Sequence, residues 1–341
     1  MSKKKILFIV SSSEKTGFGH LRRCSILSRD LNDFRRLLII DSNHFIDKKI
    51  KLSFKNIFII KDLTNKNIKN LIVQINPDFI IFDTFVYNFN LFKFLFRKKI
   101  TSLQFVNNDY KFNIFADYLV NSSPLPKKLN KFIINKKISK LEGVRYSILD
   151  TNKIYFKKKI LKLNKKEIVQ VFMCLGGNFK IFNLDKLFTF FGKLKYFKFN
   201  LFFKEDINKN HLQLKKLIKN QKNVSVIFNK DNILKHARKT KFAIISGGTI
   251  LTEMIFMQIP SIVFSLSKNQ ETYATAWHKK KCCSYQGNFY KFLNKKPKDQ
   301  VLLVKNFLNK DIFLIKKNIK YKVDNLGSIR ISKIIKKHLN D

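Results

Sequence analysis

Short, unbroken apolar runs recur along this chain, separated by stretches with helical spacing. Ile6–Val10, Leu37–Ile40, Ile57–Ile60 and Phe79–Phe82 lie in the first half, where Thr101–Val106 and Tyr118–Val120 read as two further strands. A strand apolar at every position is buried on both faces, and in a parallel sheet helices cover both. The stretches between the runs supply such helices. Leu21, Cys24, Leu27 and Leu31 share one helical side, and Ile68–Ile75 reads as a helix ending before Pro77. Ser122–Lys140, with Pro124, Pro126 and many lysines, reads as an irregular excursion, and Gly143–Lys166 carries the chain across.

The same pattern then restarts. Ile168–Leu175, Phe199–Phe203, Val224–Phe228, Phe242–Ile245 and Ile262–Phe264 read as strands. Asp185–Leu194, Leu212–Lys219, Ile233–Ala237 and a segment from Thr249 to about Gln258 read as helices. A chain of 341 residues also exceeds one comfortable core. The expected fold is α/β, with two doubly wound Rossmann-like domains facing across a cleft. The domains are expected at 1–150 and 151–341, with a C-terminal helix packing back on the first. Ligands in such sheets sit beyond the carboxyl ends of the strands.

Two loops stand at those strand ends. Gly17-Phe18-Gly19-His20 follows the first run and opens a helix. The glycines allow a tight turn and close approach of a ligand to free N–H groups. The third glycine of the dinucleotide fingerprint is missing, and a histidine occupies the mouth. That histidine either exchanges a proton with water or a hydroxyl, or merely caps the helix. Ser246-Gly247-Gly248-Thr249 forms the second such junction, with caps and backbone donors suited to a diphosphate. Glu253, one turn later, either holds ribose hydroxyls or faces solvent.

Gly176-Gly177 repeats the theme after the first strand of the second half, as a ligand loop or a simple turn. Asp83, closing a strand, orients His20, binds a sugar hydroxyl or caps a helix. Asn269 and Gln270 offer amides to a sugar, or belong to a polar loop.

The formal charge is +46, from 69 Lys and Arg against 23 Asp and Glu. Lysine dominates and is spread along the whole length. Nucleic-acid readout favours arginine forks on one face, so no specific nucleic-acid partner is expected. The apolar run Ile6–Val10 is too short for a signal peptide, and Lys93 and Arg97–Lys99 interrupt the apolar stretch at Leu91–Phe96. The expectation is a cytoplasmic protein, favoured as a monomer, whose membrane association is peripheral at most. Cys24, Cys174, Cys282 and Cys283 lack metal-ligand spacing, so reduced, buried thiols, no metal and no cofactor are expected.

Taken in order, these motifs resemble one family. Gly17-Phe18-Gly19-His20-Leu21-Arg22-Arg23 resembles the G-x-G-H-x-x-R opening of the PseG/SpsG-like UDP-sugar hydrolases of pseudaminic acid biosynthesis. Gly143-Val144-Arg145-Tyr146-Ser147-Ile148-Leu149 is similar to that family's G-P-x-Y-x-x-L segment, with Val144 where proline is usual. Ser246–Thr249 with Glu253, then Asn269-Gln270, resembles its nucleotide- and sugar-contacting stretch. The tail Asp324–Arg330 resembles its D-G-x-G-x-x-R ending. The chain departs from the family at Asn107-Asn108, where two aspartates are usual, and at Gly176-Gly177-Asn178-Phe179, where G-G-S-D is usual.

The resemblance implies a GT-B fold and metal-independent release of UDP from a UDP-linked diacetamido-trideoxyhexose. His20 would be the general base on a water that inverts the anomeric carbon. Gly17, Gly19, Arg23, Asp83, Asn108, Tyr146, Asn269 and Gln270 would contact substrate, with Arg23 also sharing the diphosphate charge. Gly176, Gly177, Ser246, Gly247, Gly248, Thr249 and Glu253 would hold the nucleotide. The alternatives are a GT-B glycosyltransferase for surface polysaccharide, whose Phe89–Lys99 region rests on a membrane, and a non-catalytic nucleotide-sugar binder.

Overall fold

The computed structural model describes residues 3–12, 18–42, 46–63, 67–84, 86–150, 168–176, 184–203, 219, 221–228, 233–320 and 322–341. The chain divides into two compact units, Met1–Asp150 with Asp324–Asp341, and Thr151–Val323.

The first unit is built on a seven-stranded sheet, ordered β3-β2-β1-β4-β5-β6-β7 and parallel throughout. Its strands are β1 (Lys5–Val10), β2 (Arg35–Ile40), β3 (Asn56–Ile59), β4 (Phe79–Asp83), β5 (Ser102–Phe105), β6 (Tyr118–Asn121) and β7 (Ser139–Glu142). The apolar runs fill both faces. Ile6, Phe8 and Val10 enter one core cluster with Leu21, Cys24, Leu27 and Leu31 of the helix Gly19–Asp30. Leu7 and Ile9 enter the opposite cluster, against the helices Asn67–Ile75 and Phe89–Arg97. This period of two is what a continuous apolar strand requires when both sides are covered.

The C-terminal helix Gly327–Asn340 adds Ile331, Ile335 and Leu339 to the first of these clusters. A Cβ at Gly327 would overlap the Ser147 carbonyl, so only glycine permits this approach. Arg330 donates to Asp324 through both terminal nitrogens (2.8 and 2.7 Å) and to the Arg145 carbonyl (2.7 Å). The Asp324–Arg330 motif therefore clamps the chain end to the turn at Val144–Tyr146.

The second unit carries a six-stranded parallel sheet, ordered β10-β9-β8-β11-β12-β13. These strands are β8 (Val169–Cys174), β9 (Phe197–Phe203), β10 (Val224–Phe228), β11 (Phe242–Ser246), β12 (Ser261–Ser265) and β13 (Ser284–Asn288). Its core is phenylalanine-rich. Phe191 and Phe199 meet with ring centroids 4.4 Å apart, and Phe264 and Phe292 with centroids 4.6 Å apart.

Both sheets gain a strand at one edge that apolar runs did not foretell. β7 lies within and beyond the expected irregular excursion, and β13 follows the helix Lys268–Lys279. Edge strands need only one partner and one buried face, so Ser139-Lys140-Leu141-Glu142 buries Leu141 alone. The helix expected at Leu212–Lys219 lies outside the described residues except for Lys219, and Gly17 and Gly177 lie outside them as well.

Candidate functional site

In each sheet the strand order reverses at one point, between β1 and β4 in the first and between β8 and β11 in the second. Such a reversal opens a gap between the connections leaving adjacent strand ends, where ligands of doubly wound sheets bind. Val10 at the end of β1 pairs with Asp83 at the end of β4, and Cys174 of β8 pairs with Ile245 of β11. The two glycine loops found in sequence leave these strands.

In the first unit, three residues of the helix Gly19–Asp30 converge on Asp83. Positions 20, 23 and 24 are three and four apart and so share a face. His20 Nδ1 pairs with Asp83 Oδ1. Arg23 donates from Nε to Oδ2 and from Nη2 to Oδ1. The Cys24 thiol lies 3.5 Å from Oδ2. Asp83 has no exposed surface, and its carbonyl accepts from Ser11 N–H at 3.1 Å. The His20 and Arg23 side chains keep 15% and 25% exposure.

Burial alone would raise the Asp83 carboxyl, but Arg23 first and His20 second hold it well below the usual carboxylate range. Burial and the Asp83 charge push the Cys24 thiol well up. An ionised Asp83 places the proton of a neutral imidazole on Nδ1 and makes Nε2 the basic nitrogen. Arg23, which also packs over the Phe105 ring at 4.9 Å, acts on Asp83. Its Nε and Nη2 are engaged there rather than directed at a diphosphate.

Asp41 was not read from the sequence. It follows β2, accepts from Ser12 N–H at 2.7 Å and lies within electrostatic reach of His20. Burial raises its carboxyl, while the Ser12 amide and then His20 act in the opposite direction. The signal was available, since Asp41 ends an apolar run just as Asp83 does.

Asn108 departs from its expected substrate role. Its amide nitrogen donates to Ser123 Oγ (2.9 Å) and the Leu125 carbonyl (2.8 Å). Its oxygen accepts from Asn121 (3.1 Å) and Lys127 N–H (3.0 Å). These four bonds use the full capacity of a primary amide, so Asn108 braces the loop at 122–127. Gly19 begins the His20 helix, after Phe18, whose side chain makes no capping bond. Tyr146 packs on the β1 side of the core with the Arg145 guanidinium 5.1 Å from its ring.

In the second unit, Gly176 leaves β8 with φ of +79°, and a Cβ there would sit 3.3 Å from Ser246 Oγ. The loops after β8 and β11 therefore abut, and the positive φ favours glycine. Gly247 donates to the Phe264 carbonyl at 2.8 Å. A Cβ on it would lie 2.6 Å from the Gln270 carbonyl, so the helix Lys268–Lys279 packs directly on bare backbone. Gly248 is the N-cap of the helix Thr249–Phe256, with no side-chain cap and no acidic residue in the first turn. Thr249 is exposed and Glu253 is buried. A capless helix start without carboxylates presents its N–H groups to an anion.

Asn269 and Gln270 lie in the first turn of the helix Lys268–Lys279, not in a loop. Gln270 Oε1 accepts from Leu266 N–H at 2.9 Å, and a Cβ on Gly248 would lie 4.0 Å from its Nε2. Asn269 is exposed and accepts from Ser267 Oγ at 2.6 Å. Among the described residues no three of His, Cys, Asp and Glu gather to hold a metal, and no helix is long and apolar enough to cross a membrane.

The sequence matches no protein-family profile. It is 28% identical over 272 residues to an uncharacterised protein of Methanocaldococcus jannaschii, covering 76% of this chain and 55% of that protein. The chain thus spans about half the length of that relative. CalG4, the calicheamicin glycosyltransferase, superposes with a TM-score of 0.70 at 11% identity, over 100% of this chain and 99% of that one. MurG of Acinetobacter baumannii gives 0.68 at 11% identity, over 98% and 99%. MnaA of S. aureus, solved with UDP, gives 0.65 at 13% identity, over 99% and 97%. With its two all-parallel Rossmann-like sheets, the chain has a two-domain α/β fold of the GT-B kind.

Proposed function

We propose that this protein hydrolyses a UDP-sugar, breaking the anomeric C–O bond with inversion and releasing UDP and the free sugar. The observation that carries the reading is the convergence of His20 and Arg23 on buried Asp83 at the first switch point. His20 Nε2 takes a proton from water as the water oxygen bonds to the anomeric carbon. The C–O electron pair leaves with the diphosphate, whose charge is seated on the helix start at Ser246–Thr249. Asp83 stabilises the imidazolium formed, and Arg23 keeps Asp83 ionised and in place. Glu253 holds the ribose, and Gln270, Asn269, Tyr146 and Gly19 contact the sugar side. The resemblance of the ordered motifs to the UDP-sugar hydrolases, and the UDP in the structurally similar MnaA, support this nucleotide. By that resemblance the sugar is a diacetamido-trideoxyhexose of nonulosonic acid biosynthesis.

The reaction is tested by incubating the purified protein with UDP-sugars in ¹⁸O-water. Label in the sugar, with none in UDP, is the expected result; label in UDP would mean P–O cleavage and overturn the mechanism. A second reading, glycosyl transfer, is favoured by the likeness to the calicheamicin glycosyltransferase, since the same base would deprotonate an acceptor hydroxyl. UDP release that appears only when an acceptor is added would select transfer.

A further inference from the structure

Three phenylalanines of the first unit are exposed and linked through ring contacts. Phe89 is 41% exposed, Phe96 42% and Phe112 46%. Phe89 and Phe96 are seven residues apart on the helix Phe89–Arg97, two turns along one face. Lys93 lies between them, its Nζ 5.6 Å from the Phe89 ring centroid. Both rings lean on Phe115, at 5.7 and 5.8 Å. Phe112 stacks on Tyr87 at 4.7 Å and 9°, and Tyr87 meets Phe89 at 6.4 Å. Exposed Leu52, Ile59 and Val73, by contrast, stand on three separate elements. Apolar side chains exposed singly need no explanation, whereas a connected aromatic strip does.

The strip has a one-sign collar. Lys93, Arg97, Lys98 and Lys99 belong to or follow its helix, and Lys111 precedes Phe112. Lys69, from the neighbouring helix, places its Nζ 4.4 Å from the Phe94 ring centroid. Between Asp83 and Asp109 the sequence holds no acidic residue. A two-fold contact with a second copy would set this collar against itself, which like charges oppose. A bilayer surface carrying anionic lipid satisfies both halves: acyl boundary for the rings, headgroup phosphates for the cations.

We propose that the Phe89–Phe96–Phe112 strip docks the first unit on an anionic membrane surface. The rings insert at the acyl boundary, and Lys93, Arg97, Lys98 and Lys99 neutralise lipid phosphates. This inference does not rest on the proposed hydrolysis. It also separates ring insertion from the general attraction that a charge of +46 exerts on any anionic surface.

The test is vesicle flotation of the full chain at about 0.15 M salt, using phosphatidylcholine vesicles with and without phosphatidylglycerol. The wild type is expected to float with the phosphatidylglycerol vesicles. The triple substitution Phe89→Ser, Phe96→Ser, Phe112→Ser leaves the net charge unchanged and is expected to lower the bound fraction about tenfold or more. Because that variant can misfold, Phe96→Trp provides a second, conservative probe, its emission distinguishable from that of Trp277, which is buried. Its emission should shift to the blue on these vesicles and be quenched by brominated acyl chains. Flotation unaffected by the triple substitution, or Phe96→Trp emission that ignores bound vesicles, would overturn the proposal. So would a ring-dependent dimer in sedimentation, or a single-stranded oligonucleotide that displaces vesicles through the same rings.

Discussion

Arg23 grips both carboxylate oxygens of Asp83, and one of those oxygens also faces His20 Nδ1. The carboxylate is shared between the guanidinium of Arg23 and the imidazole of His20. Arg23, on both oxygens, holds the Asp83 carboxyl well below the usual carboxylate range and so keeps it ionised beside the ring. That is the condition for it to orient the ring without competing for its proton.

His20→Ala should lower UDP release by about 10²- to 10⁴-fold, the usual worth of a general base. UDP affinity, measured by titration calorimetry, should change by less than about twofold, because the proposed nucleotide seat at Ser246–Thr249 belongs to the second unit and His20 to the first. Asp83→Asn should also reduce turnover strongly, since the amide can hold the wrong tautomer. Turnover unchanged in His20→Ala would remove His20 from the chemistry.

The depressed Asp83 carboxyl makes a pH-dependent contribution to stability. Its unfolded value is about 3.9. The contribution is complete above that value and fades as pH falls toward the lower folded value. The melting temperature of the wild type should thus drop more steeply below about pH 4 than that of Asp83→Asn. Parallel acid limbs in the two proteins would contradict the charge pairing.

Gly247 and Gly248 are adjacent but constrained differently. Gly247→Ala forces a Cβ into the Gln270 carbonyl, and should cost about 1–3 kcal/mol of stability by displacing the helix behind it. Gly248→Ala meets nothing closer than 4.0 Å and should cost about 1 kcal/mol or less. It should nevertheless weaken UDP binding about tenfold, near 1.4 kcal/mol, by covering the helix start. Chemical denaturation and UDP titration of the two variants separate packing from ligand approach. Unweakened UDP binding by Gly248→Ala would argue against this seat.

All four cysteines are buried free thiols. Burial pushes Cys282 up to about 11, and raises Cys24 and Cys283 as well. At pH 8 their reaction with a disulfide reagent should be about 10²-fold slower in the native protein than in the unfolded chain. Denaturation should then expose all four. Rapid native reaction of one equivalent would locate an opening in the fold.

The architecture was legible wherever burial was two-sided. β1, β4 and β11 are apolar at all but one position, and β2 at its last four, because both faces are covered, so sequence alone marks them. β7 and β13 escaped because their own residues, Ser139-Lys140-Leu141-Glu142 and Ser284-Tyr285-Gln286-Gly287-Asn288, are mostly polar, whereas the opposite edges β3 and β10 carry apolar runs. The glycine loops were legible as junctions, and His20 as a mouth residue. The grip of Arg23 on Asp83 was not, because it joins positions 60 residues apart that only the strand order brings together. Asn108 shows the converse: a residue matched by position to a ligand role has all its hydrogen-bonding capacity used by its own loop. The Asp324–Arg330 tail resembled a functional motif, and its glycine and arginine hold the chain end in place.

That tail has a consequence for biosynthesis. The ribosome completes all of the second unit before the helix Gly327–Asn340 exists to cover the β1 side of the first sheet. During synthesis the nascent first unit therefore waits with a core face open, while the later-made unit already has its full complement of strands. A premature stop just before Asp324 would spare the younger unit and leave the older one unfinished.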